Sequence, residues 1–257
     1  MLNFRSTNIA FTSMLLLAIA LDVKFGIPWF VFLILAAAYG LLLFYGCYYI
    51  GSNYFVRVVC AADTREKVIA ISFDDGPDGK NTPLILQILR EHHAEAAFFL
   101  IGSKIHGNEV LVLDTVSQGH LVGNHSFSHH FWFDLFPFEK MAADLGAADG
   151  AISAVTGKRP KLFRPPYGVT NPTVKKVITA GNYIPVGWSV RSYDTVIKDE
   201  KKLLNKLTAR ISAGAIFLFH DTSDTTVAIL PSFLNHVKSR GYAIVRLDKM
   251  LNLQPYA

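Results

Sequence analysis

Apolar and polar residues are arranged in two different ways along this chain. At the front, residues 27–50 (IPWFVFLILAAAYGLLLFYGCYYI) form one apolar run without a charged side chain, long enough to cross a bilayer as a helix. Residues 9–21 form a shorter apolar run that contains Thr12 and Ser13. From Lys67 onward, short apolar runs alternate with amphipathic stretches. The short runs predict strands at 68–73, 96–101, 120–123, 161–163, 184–188, 215–219 and 242–245. The stretches between them predict helices at 82–92, 108–118, 138–156, 171–180, 200–212 and 226–240. In the first of these, Pro83 sits near the start, and Leu84, Ile85, Ile88 and Leu89 share one face. Gly119, Gly157 and Gly181 follow three of the others as stop signals. Strand-then-helix repetition predicts an α/β fold with a parallel sheet and crossover helices, either a barrel or a doubly wound sheet.

The front of the chain reads as a membrane anchor over residues 1–50, a helical hairpin of segments 9–21 and 27–50 joined by 22–26. Trp29 near the start of the second segment and Tyr45, Tyr48 and Tyr49 near its end fit an interfacial aromatic belt. This segment is too long for a cleaved signal peptide. Residues 51–66 read as a connector, 67–250 as the α/β domain and 251–257 as a tail. If both segments span, Arg5, Arg57, Arg65 and Lys67 place both ends in the cytoplasm. If only the second spans, with the N-terminus inside, the domain at 67–250 lies outside. The side it faces is left open.

Composition adds little. The hydrophobic share of 51% is high because of the front segments, and the net charge of +5 reads as a solvated surface that also favours anionic lipid headgroups. No basic-aromatic strip points to nucleic acid. Cys47 and Cys60 make no disulfide framework.

Candidate chemistry gathers after the strands. Asp74-Asp75 follows the first, His125 and His129 the third, Arg164 the fourth, Asp194 the fifth and His220-Asp221 the sixth. In a parallel α/β sheet the C-terminal strand ends share one side, where active sites form. Two adjacent carboxylates are costly unless a cation or a proton separates their roles; the bland alternative is an Asx turn closing a strand. His125 and His129, at i and i+4, would share a face on a helical turn. With Asp75 they make a three-ligand set suited to Zn²⁺, Fe²⁺ or Co²⁺ with open positions. The remaining histidines read as surface or satisfied core positions.

Phe73-Asp74-Asp75-Gly76-Pro77, His125-Ser126-Phe127-Ser128-His129, Arg164-Pro165-Pro166-Tyr167-Gly168 and Leu218-Phe219-His220 resemble, in order, the motifs of the polysaccharide deacetylase family (carbohydrate esterase family 4). The resemblance covers roughly residues 67–250. It implies a distorted (β/α) barrel with about seven parallel strands and metal-dependent removal of acyl groups from sugars. It makes Asp75, His125 and His129 the metal ligands, Zn being the first choice and Co, Fe or Ni possible. It makes Asp74 the general base, held by a bidentate salt bridge from Arg164, and His220 the general acid, oriented by Asp194. The backbone N–H of Tyr167 would help hold the oxyanion, and the Tyr167 ring and Leu218 would line the acetyl pocket. For Arg164 the plain alternative is a surface ion pair. For Leu218 and Trp188 it is core packing, which is preferred for Trp188.

One motif departs from the family. Where an Asp and a pocket Trp are usual, this chain has Arg191 and Thr195. The pocket is then more open, or closed by Tyr193 or Trp132. The expected activity is membrane-anchored N-deacetylation of an N-acetylglucosamine-containing polymer or lipid-linked sugar. The neighbouring alternative is an O-acetyl esterase or sugar deformylase. The alternative of another class is a catalytically silent carbohydrate-binding protein.

Overall fold

The computed structural model describes residues 3–257. Two long helices come first, α1 (Phe4–Phe25) and α2 (Phe30–Tyr48), each long and apolar enough to cross a membrane. At 1.5 Å per residue they measure about 33 and about 28 Å, against a hydrocarbon core of about 30 Å. They pack as a hairpin: the Tyr39 hydroxyl donates to Asn8 Oδ1 (2.7 Å), and Phe11 stacks on Tyr39. The first apolar segment is longer than 9–21. Asn3 caps α1 by accepting from the Ser6 N–H, and nothing interrupts the helix until Gly26 ends it at φ 64°. Most of the expected 22–26 connection is therefore helical.

The rest of the chain alternates strands and helices: β1 (Val68–Gly76), α3 (Asn81–Glu91), β2 (Ala97–Leu100), α4 (Glu109–Ser117), β3 (Leu121–Asn124), α5 (Phe138–Thr156), β4 (Leu162–Phe163), α6 (Pro172–Ala180), β5 (Ile184–Pro185), β6 (Val190–Arg191), α7 (Glu200–Thr208), β7 (Ala215–His220), α8 (Asp224–Ser239), β8 (Ala243–Ile244) and α9 (Leu247–Leu251). The sheet is parallel in the order β5-β4-β3-β2-β1-β7-β6. β8 pairs with Val68 and Ile69 of β1, along the edge that β2 occupies from Ser72 onward. β6 and α9 went unforeseen because each is too short to show a period.

The expected distorted barrel is found as a curled, half-open sheet. Its ends, β5 and β6, do not pair with each other. The stretch read as a connector lies along this gap: Val59 bridges Val186 in parallel, and Ala61 bridges Ala215 antiparallel. Tyr54, Phe55 and Val58 are buried, the first two against Phe4 at the start of α1.

Strand alternation sorts the side chains. Ile69, Ile71 and Phe73 of β1, with Phe217 and Phe219 of β7, pack outward against the helices. Ala70, Ala97, Phe99, Leu121, Leu162 and Ile216 fill the concave side. Small residues at Ala70, Ala97 and Gly123 leave room on that side for larger groups. At Gly123 a Cβ would lie 2.7 Å from the Phe99 ring.

Candidate active site

Asp74 continues the inward series Ala70, Ser72 on β1 and is buried. Strict alternation would turn Asp75 outward, toward the helices. Two features prevent this: the register with β2 shifts between Asp74 and Gly76, and Asp75 takes φ 75°. A bulge of this kind re-aims a side chain, and it brings both carboxylates to one histidine. His125 Nε2 lies 3.7 Å from Asp74 Oδ2 and 3.5 Å from Asp75 Oδ1. Gly76 is required here because a Cβ would overlap the Asp221 carboxylate.

Arg164, expected after β4, is completely buried. Its Nη1 donates to Asp74 Oδ1 (2.7 Å) and Ser72 Oγ (2.8 Å). Its Nε and Nη2 donate to the carbonyls of Val186 and Gly187. The hold on Asp74 is therefore through one nitrogen, not bidentate, because the rest of the fork is engaged by main-chain carbonyls. The guanidinium also stacks on Phe99, 4.0 Å from the ring centroid. A surface ion pair is excluded.

His125 and His129 do not sit on a helical turn. Residues 125–129 form a loop after β3 in which Ser126 (φ 66°) and His129 (φ 44°) are left-handed. The loop still brings the rings together, with centroids 4.8 Å apart. His129 Nε2 lies 3.4 Å from Asp75 Oδ1. Asp75, His125 and His129 offer ligand atoms all within 4.8 Å of one another. Two ligands at about 2.0–2.1 Å from one tetrahedral ion stand about 3.3–3.4 Å apart, so the 3.4 and 3.5 Å separations fit a cation. The tautomer fits as well. His125 Nδ1 lies 2.7 Å from the Arg164 carbonyl, which can only accept, so Nδ1 carries the proton and Nε2 is free to ligate.

The electrostatics agree. Burial opposes ionisation of Asp75, yet the hydrogen bond with His125 and the nearby imidazoles hold its carboxyl well below the usual range. Burial and the charge of His125 push His129 down to about 4, leaving it neutral, as a ligand must be. Burial would also lower His125, but Asp74 and Asp75 outweigh it and raise it.

His220 ends β7, with Leu218 two residues earlier on the same side of the strand. Its Nδ1 lies 2.7 Å from Asp194 Oδ1, and its backbone N–H donates to Asp194 Oδ2 (2.7 Å). The carboxylate also accepts from the Ser192 and Thr226 hydroxyls and from the Thr195 N–H, and it is fully buried. Burial lowers the His220 pKa, but the hydrogen bond and charge of Asp194 overcome this and raise it. Nδ1–H is thereby committed to Asp194, and Nε2 is the free nitrogen.

Tyr167 is left-handed (φ 59°) in the turn after β4. Its ring lies 4.8 Å from that of His129. Leu218 is buried, and Trp188 is half-buried, packed against the concave core. Thr195, Trp132 and Tyr193 are all exposed, with Lys206 Nζ lying over the Tyr193 ring.

Several residues that hold this site were not foreseen, and Asp221, named only beside His220, was given no role. Asn124 Oδ1 accepts from the Ser126 N–H, and its Nδ2 donates to Asp149. Asp144 accepts from the Phe127 N–H (2.8 Å). Lys104 Nζ donates to the Asp75 carbonyl (2.7 Å). Asp221 is fully buried, accepts from Thr82 and is raised to about 7 by burial. Only the position of Asn124 immediately before His125 signalled any of this; Asp144, Asp149 and Lys104 lie far from the motifs in sequence.

Comparison with known proteins gives this arrangement a family. The polysaccharide deacetylase model matches residues 61–185. A peptidoglycan-N-acetylglucosamine deacetylase of Bacillus cereus is 36% identical over 193 residues, 73% of this chain and 89% of that protein. The chain belongs to the polysaccharide deacetylase family. Another relative of this deacetylase, a peptidoglycan-N-acetylmuramic acid deacetylase of Bacillus subtilis, is 30% identical over 193 residues, 74% of this chain and 73% of that one. A solved peptidoglycan N-acetylglucosamine deacetylase aligns with a TM-score of 0.74 at 26% identity, over 78% of this deacetylase and 95% of its own chain.

Proposed function

We propose that this polysaccharide deacetylase is a membrane-anchored hydrolase that removes N-acetyl groups from an N-acetylated sugar of the peptidoglycan type. The observation that carries the reading is the Asp75–His125–His129 cluster set between an Asp74–Arg164 pair and a His220–Asp194 pair. One carboxylate and two imidazoles suit a divalent ion, Zn²⁺ first and Co²⁺, Fe²⁺ or Ni²⁺ next. Such an ion supplies Lewis acidity toward a carbonyl oxygen and makes water a nucleophile at neutral pH.

The chain's own groups do the rest. Asp74, fixed by Arg164, accepts the proton of the attacking water as its oxygen adds to the acetamide carbon. The Tyr167 main-chain N–H helps hold the oxyanion. His220 Nε2–H gives its proton to the sugar nitrogen as the C–N bond breaks, and acetate and a free amine leave. Asp194 keeps His220 in the donating form. The Tyr167 ring and Leu218 receive the acetyl methyl. The two N-terminal helices anchor the enzyme at the bilayer beside its substrate.

Asp74→Asn tests the base. Asn can still accept from Arg164, so the fold and the bound metal should persist while acetate release falls by about 10²–10⁴-fold. Acetate is assayed on N-acetylglucosamine oligomers with added Zn²⁺, and metal content by atomic emission. Wild-type turnover in the variant would remove Asp74 from the role.

A further inference from the structure

The end of the second apolar helix is built into the wall of the active site. The Cys47 carbonyl accepts from the Thr170 N–H (3.0 Å), and the Gly46 carbonyl accepts from the Thr170 hydroxyl. Next to it, Asn171 Nδ2 donates to the Asp134 carbonyl (2.6 Å). Asp134 belongs to a loop that exposes Phe131, Trp132 and Leu135 by 66, 56 and 67%. Phe131 meets the Tyr167 ring edge-on. An apolar rim thus runs from the metal cluster to the end of α2, at the depth of lipid headgroups if α2 spans.

Beside it opens a cleft of about 490 Å³. One wall is Tyr48 and Tyr49 at the end of α2, and another is Tyr167 and Trp188 next to the catalytic residues. Between them lie Arg191, Lys206 and Arg210. Among the described residues none of these three pairs with a carboxylate. Lys206 Nζ, 3.8 Å over the Tyr193 ring, donates only to the carbonyls of Arg191 and Ser192. Burial, followed by the charges of Arg210 and Arg191, lowers its pKa. Three cations line one aromatic-walled cleft with no carboxylate in ion-pair contact, and Arg191 stands where the family usually has an Asp.

We propose that this cleft binds the phosphate linkage of a lipid-linked N-acetylated sugar, so that the enzyme acts on a sugar still attached to its membrane carrier. Guanidinium forks match phosphate oxygens, aromatic rings suit sugar faces, and the cleft opens where a lipid carrier would place its phosphate. A phospholipid headgroup offers the same charge. Continuity with the acetyl site favours the substrate: Tyr167 is shared by both, and the strand neighbour of Arg191 is Leu218. This substrate assignment rests on the deacetylase reading of the adjoining site.

The test uses the full-length protein in phosphatidylcholine nanodiscs with Zn²⁺. Acetate release is compared for N-acetylglucosamine linked through diphosphate to a farnesyl chain and for a phosphate-free N-acetylglucosamine tetramer. Wild-type kcat/KM should favour the diphosphate lipid by about tenfold or more. In an Arg191→Ala/Arg210→Ala variant that ratio should fall about tenfold, mainly through KM. An unchanged ratio, or release from the tetramer alone, overturns the cleft and leaves the deacetylase reading standing.

Binding is measured separately in the Asp74→Asn protein by native mass spectrometry, with and without the two arginines. Arginine-dependent binding in this variant, together with no acetate release from either substrate by the wild-type protein, would support the cleft and sink the deacetylase reading. Equal arginine-dependent retention of phosphatidylglycerol would mark a headgroup contact only and overturn the proposal.

Discussion

At Asp75 the backbone enters the left-handed region, and at Arg164 a whole guanidinium is buried; both conformations are costly for their residue types. Each is maintained by neighbours that remove its freedom to relax. Lys104 pins the Asp75 carbonyl, and four acceptors surround Arg164. The same logic fixes His220. Burial alone would strip its proton, whereas Asp194 retains it. In Asp194→Asn the anion is lost, burial prevails and the His220 pKa falls. The acid form then disappears at lower pH, so the alkaline limb of kcat/KM should move to more acidic values. The maximal rate should drop by about 10²-fold or more. A pH–rate profile of acetate release checks this, and an unmoved alkaline limb would separate His220 from the acid role.

At the scale of elements, β1 carries the most chemistry, and its end is where sheet and loop must agree. The bulge between Asp74 and Gly76 works only while Gly76 stays bare against Asp221. Gly76→Ala should therefore cost about 1–3 kcal/mol by overpacking. It should also displace both carboxylates, with metal affinity and acetate release falling together. Thermal melts and metal titration measure the two effects, and wild-type values in both would show that the turn tolerates a side chain. The helix α5 works at a distance: Asp144 and Asp149 reach across to brace the histidine loop directly or through Asn124. Periodicity showed α5 as a helix at 138–156 but gave no reason to prefer these two acids over its other polar residues. Their partners are 17 and 25 residues away.

At the scale of the molecule, the ends of β1, β3, β4 and β7 meet near the end of α2. A metal held by Asp75, His125 and His129 binds the folded chain alone, so its removal should weaken the whole fold. At a metal concentration 100-fold above Kd the linkage is worth about 2.7 kcal/mol. Chelation should lower the melting temperature and abolish acetate release, and added Zn²⁺ should restore both. Insensitivity of the melting temperature to chelation would mean that these three side chains hold no ion.

Sequence by itself determined the alternation of strands and helices, the two apolar helices and the residues that face one another across the site. These follow from local period, from turn residues and from the rule that parallel strands end on one side. Tertiary structure alone decided that His125 and His129 meet through a left-handed loop rather than a helical turn, and that Arg164 grips Asp74 with a single nitrogen. It also decided that Val59 and Ala61 bridge onto the sheet at its open seam and that the end of α2 forms a wall of the cleft. Each of these depends on what a side chain or a segment meets far along the chain, and no local pattern records that partner.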